Sequence, residues 1–100
     1  MIAPAQRAAW DAYLTLTTDL LPALRANPAE ATVNAQLGGV AKRILRAAPL
    51  WGGNGPMLVC AVQSAVRLYR AGEQDDLLDL LRVVADRLYV LSVRSGPSTT

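Results

Sequence analysis

The chain contains no histidine and no phenylalanine, and it has one cysteine (Cys60) and one lysine (Lys42). Without histidine it lacks the commonest general base and the commonest metal ligand, so Ser–His and Cys–His nucleophile pairs are excluded. A four-helix carboxylate metal site is excluded too, because it pairs Glu with a His three residues on. One cysteine permits neither an intrachain disulfide nor a thiolate metal cluster. Placed between Val59 and Ala61, Cys60 reads as a small buried hydrophobe. No catalytic residue, cofactor, metal or small-molecule substrate is implied, and an enzyme is not expected.

Other absences narrow the setting. The unbroken apolar runs are only a few residues long, too short to span a membrane. The N-terminus carries no cationic flank followed by an apolar run, so no secretory signal is read, and a cytoplasmic protein is the expectation. Charge is scarce, at 18% of residues against about 25% in ordinary soluble domains. So little charge leaves apolar surface over for a partner. Gly52-Gly53-Asn54-Gly55 precedes a helix but is not followed by Gly-Lys-Ser/Thr, so it reads as a connector and not a phosphate loop.

What is present is helical patterning. One hundred residues, 52% of them apolar, make one domain with a single core. The stretch from Glu73 to Val93 organises it. Leu77, Leu81, Val84, Leu88 and Leu91 recur at spacings of three and four, which puts them on one helical face. Leu78, Leu80, Val83, Tyr89, Val90 and Val93 widen that face to most of the circumference. A helix apolar nearly all round is expected to be buried, in a bundle or against a partner.

Three further helices are expected. The first opens at Pro4 and presents Trp10, Tyr13, Leu14, Thr17, Leu20, Leu21 and Leu24 on one face, with a kink near Pro22. The second opens at Asn27-Pro28-Ala29-Glu30, where Asn27 can cap and Glu30 can complete a capping box. Its seam is Val33, Leu37, Val40, Ile44 and Ala47. Gly38-Gly39 in its middle implies either close helix approach or a local break. The segment 49–56 reads as a loop, in which Trp51 either plugs the bundle or stands out as an anchor for a partner. The third helix opens at Pro56, carries Leu58, Val62, Ala65 and Tyr69 on its seam, and ends at Gly72. The Tyr69-Arg70-Ala71-Gly72 turn before an acidic helix start resembles the turn inside tetratricopeptide helix pairs, but no repeat accompanies it and it reads as general hairpin chemistry.

Charge is unevenly placed. Between Arg25 and Arg70 lie six cations and one acid, Glu30, while Glu73, Asp75, Asp76 and Asp79 gather afterwards. If the second and third helices are neighbours, Lys42, Arg43, Arg46, Arg67 and Arg70 form a basic face suited to phosphate contacts.

The sequence therefore predicts an all-α antiparallel bundle of four main helices, possible alone or completed by dimerisation, with residues 1–94 as the domain and 95–100 as a disordered tail. The leading expectation is a non-enzymatic interaction module, a homodimer or small adaptor, built on Leu77, Leu81, Val84, Leu88 and Leu91. The alternative is a nucleic-acid-binding accessory protein using the basic face. The first expectation predicts that Leu81→Asp or Leu88→Asp unfolds the protein or splits its assembly. Circular dichroism and a sizing column read the outcome, and soluble, folded, unsplit variants contradict it.

Overall fold

The computed structural model describes residues 3–26 and 31–93. The chain forms α1 (Pro4–Leu14), a π-helical segment (Thr15–Leu20), α2 (Leu21–Ala26), α3 (Ala31–Ala47), a 3-10 turn (Ala48–Trp51), α4 (Asn54–Ala71) and α5 (Gln74–Val93). The first three elements follow one another without interruption, so four main helices make up the bundle. The expected cap at Asn27–Glu30 and the expected tail at Ser95–Thr100 lie outside the described residues.

The expected irregularity before Pro22 is a π turn. In an ordinary α-helix, Pro22 would leave the Thr18 carbonyl without its donor and press its ring on it. Here the Leu21 N–H reaches the carbonyl of Leu16, five residues back, and the wider turn relieves that contact. Thr15 and Thr17 also donate their hydroxyls to the carbonyls of Asp11 and Tyr13, at 3.0 and 2.8 Å. Such back-bonding loosens and bends a helix, which suits a segment that must change its turn.

The register of α1 differs from the expected one. Its buried residues are Ala9 and Ala12, followed by Leu16 and Leu20 in the π segment, while Trp10 faces solvent and Tyr13 and Leu14 are half-buried. Two alanines toward the core let neighbouring helices approach closely, with Trp10 left on the outer flank and Tyr13 packed in part against the core. The α3 seam falls as expected, with Val33, Leu37, Val40, Ile44 and Ala47 all buried. In α4, Leu58, Val62 and Ala65 are buried and Tyr69 is half-buried. No polar or charged side chain among the described residues is buried in the core.

Two connections set the topology. Between α3 and α4 the loop expected over 49–56 is shorter, because Ala48–Trp51 winds as a 3-10 turn and α4 starts at Asn54. Gly55 makes this possible: a β-carbon there would collide with the Ala48 backbone. Between α4 and α5, Gly72 takes the left-handed conformation at φ 77°. The Glu73 N–H then bonds the Leu68 carbonyl at 3.0 Å and the Gly72 N–H bonds that of Tyr69 at 3.2 Å, the Schellman pattern that satisfies the carbonyls of a helix end. The Gln74 side-chain amide donates to the Leu24 carbonyl at 3.2 Å, tying this turn to the end of α2. With that anchor at one end, α5 runs antiparallel to α1–α2.

Gly38 and Gly39 neither break α3 nor admit a close neighbour, since α3 is continuous through both and a β-carbon at either would meet nothing within 4 Å. Glycine in such a place only adds entropy to the unfolded chain. Gly38→Ala and Gly39→Ala should each stabilise the protein by about 0.5–1 kcal/mol. Gly55→Ala should destabilise it by about 1–3 kcal/mol through overpacking. Urea denaturation midpoints measure all three.

Candidate interaction surface

The helix α5 buries one line of side chains, Leu77, Leu81, Val84, Ala85 and Leu88. Leu91, expected on that line, is half-buried. Within the single chain the bundle does not sheathe the rest of its apolar surface. Val83 is 64% exposed, Val93 57% and Tyr89 47%. A bundle of this size presents only so much neighbouring surface, and α1 and α4 already flank α5 on its inner side.

The exposed residues continue onto α1, where Trp10 is 42% exposed. Trp10 stacks on Tyr13 with ring centroids 5.4 Å apart, and Tyr13 meets Tyr89 at 5.5 Å in a tilted contact. Aromatic contacts of this kind contribute about 0.5–1.5 kcal/mol beyond area burial. They pin α1 to α5 and leave an aromatic ridge on the outside. Periodicity alone had put Trp10 and Tyr13 with the core. The signal that separates them is the alanine pair, Ala9 and Ala12, on the adjacent face.

Trp51 is the plug and not the anchor. It is 5% exposed, and its indole N–H donates to the Ala5 carbonyl at 3.0 Å, closing one end of the bundle. The 3-10 turn swings the ring inward, which a loop read from composition does not reveal. Around the same connection Leu45, Leu50 and Met57 are exposed. Cys60 also departs from expectation: it is exposed and free, on the side of α4 turned away from Leu58 and Val62.

The five cations of the expected basic face are all exposed. Along the antiparallel α3–α4 pair they fall into two groups. Lys42, Arg43 and Arg46 lie toward the end of α3, level with the start of α4, whereas Arg67 and Arg70 lie toward the end of α4. At 1.5 Å per residue the two groups sit roughly 10–16 Å apart along the axis. A cleft of about 400 Å³ opens beside Arg70, lined by Leu24, Leu68, Tyr69, Gly72, Gln74 and Leu77. The one amide there, on Gln74, is already bonded to Leu24.

Among the described residues no helix is long and apolar enough to cross a membrane, and no group of three Cys, Asp or Glu is placed to hold a metal ion. No family model, no curated protein and no solved structure matches the chain.

Cys60 should react with a disulfide reagent in the native protein at nearly the rate of a free thiol. A colorimetric thiol titration with and without denaturant measures this, and a reaction that waits for denaturant would mean the thiol is covered.

Proposed function

We propose that this protein is a non-enzymatic interaction module that docks on another protein chain through the outer side of α5 and the adjoining flank of α1. The observation that supports this is the apolar surface left open by Trp10, Val83, Tyr89 and Val93. Aromatic side chains are enriched at binding hot spots, and large apolar side chains open to water on one helix and its neighbour offer contact area to a partner. Its function is to assemble, as a homodimer or as a small adaptor. The absence of histidine weighs against catalysis. A reducing cytoplasm suits the free, exposed thiol of Cys60.

The nucleic-acid alternative draws on Lys42, Arg43, Arg46, Arg67 and Arg70, and its support is weaker because these side chains divide between two ends of the α3–α4 pair. The net charge of +2 adds little steering.

A photo-reactive phenylalanine analogue placed at Val83 or Tyr89, with Arg25 as the control position, tests the reading in the host cell. Discrete protein adducts from the first two positions and none from the third are expected. Adducts that do not differ between these positions, or that contain nucleic acid, would overturn it.

A further inference from the structure

We infer that the partner on α5 is a second copy of this chain, bound antiparallel through the line Asp76, Leu80, Val83 and Arg87. This names an occupant for the part of the proposed surface that centres on Val83, and it rests on that reading.

The four residues are spaced four, three and four apart, the spacing of a seam along which two helices wind together. They occupy the flank of α5 opposite its contact with Tyr13, and Leu80 at the inner edge of that flank packs in part against the core. Asp76, Val83 and Arg87 are exposed and Leu80 is half-buried. Val83 is the most exposed large apolar side chain among the described residues. The line spans about 16 Å of helix.

Its order is what selects the occupant. Read along the helix, the line is acid, aliphatic, aliphatic, base. Turned end over end by a two-fold axis between Leu80 and Val83, the same line opposes itself as four matched layers. Asp76 meets Arg87 of the second copy, Leu80 meets Val83, Val83 meets Leu80, and Arg87 meets Asp76. An antiparallel pair packs such positions at an axial separation of about 8–10 Å, close enough for the aliphatic layers to touch and for the terminal charges to pair. A parallel pairing in register would set Asp76 on Asp76 and Arg87 on Arg87, so charge also fixes the direction. Two-fold self-complementarity of one patch is the geometry of the commonest soluble oligomer. The other charges of this region, Asp79, Arg82 and Asp86, fall toward the α1 side and sit at the rim, where ion pairs contribute little.

The test uses the whole chain and two single substitutions. Light scattering on a sizing column across a concentration series should give a dimer for the natural protein. Asp76→Arg sets cation against cation in the homodimer, and Arg87→Asp sets acid against acid. Each alone should weaken dimerisation about tenfold or more. Mixed in equal amounts, the two variants restore both opposite-charge layers, so a one-to-one heterodimer should form with near-natural affinity, as should a homodimer of the double variant Asp76→Arg/Arg87→Asp. Asp76 also lies in the first turn of α5, where an acid favours the helix, so thermal melting of each variant is read alongside. Arg87→Asp, which lies mid-helix, keeps the test sound if Asp76→Arg melts early. Recovery in the mixture is a readout that a merely unstable variant cannot produce.

A natural protein that stays monomeric overturns the inference. So does a dimer whose affinity the single substitutions leave unchanged, or one that mixing fails to rescue. In each case adducts at Val83 and Tyr89 to a different protein would leave the interaction reading standing, whereas their absence would remove both.

Discussion

Every helix of this protein must hide an aliphatic seam, and a chain of this length offers few surfaces on which to hide it. The core among the described residues is made of Ala, Val, Leu, Ile and Trp side chains, and no polar or charged residue is buried in it. Non-directional burial is therefore what holds the helices to one another, while the side-chain hydrogen bonds between elements sit near the turns. The Trp51 indole on Ala5 closes one connection, and the Gln74 amide on Leu24 ties down another. Both fix where a turn sits against α1–α2, and the seams do the rest.

The same constraint explains why α5 is left partly bare. Its apolar residues outnumber those that one side of a helix can bury. Leu77, Leu81, Val84, Ala85 and Leu88 fill the available side, and Val83, Tyr89 and Val93 remain in water. Such exposure costs solubility unless something covers it, and with charge at only 18% of the sequence few ionised groups offset it.

The long first helix shows how a local difficulty shapes a global choice. Pro22 cannot donate, and the threonines ahead of it compete for carbonyls. A π turn accommodates both and inserts a shift in register between Ala12 and Leu20. The small residues of α1 then face the core, Trp10 faces out, and Tyr13, packed in part against the core, meets Tyr89 across the helix pair.

Much of the architecture was legible in the amino-acid order. The seam of α3 and most of that of α4 follow from spacing, the helix end at Gly72 from the left-handed conformation glycine allows, and the number of main helices from the breakers between them. These features are local, because period and backbone sterics act within a few residues. Absent histidine likewise limits the chemistry wherever the residues lie. What spacing does not carry is the identity of each neighbour. Whether Trp51 points in or out, whether Cys60 is covered, whether five cations share a face and how much of α5 is hidden all depend on where other helices stand. Tertiary packing decided these: a tight 3-10 turn turned Trp51 inward, antiparallel α3 and α4 divided the cations, and α1 and α4 covered one side of α5 and no more. The sequence determines which surfaces are apolar, through local geometry. Only the packed structure determines which of them stay in water, since burial is a property of two surfaces together and periodicity describes one.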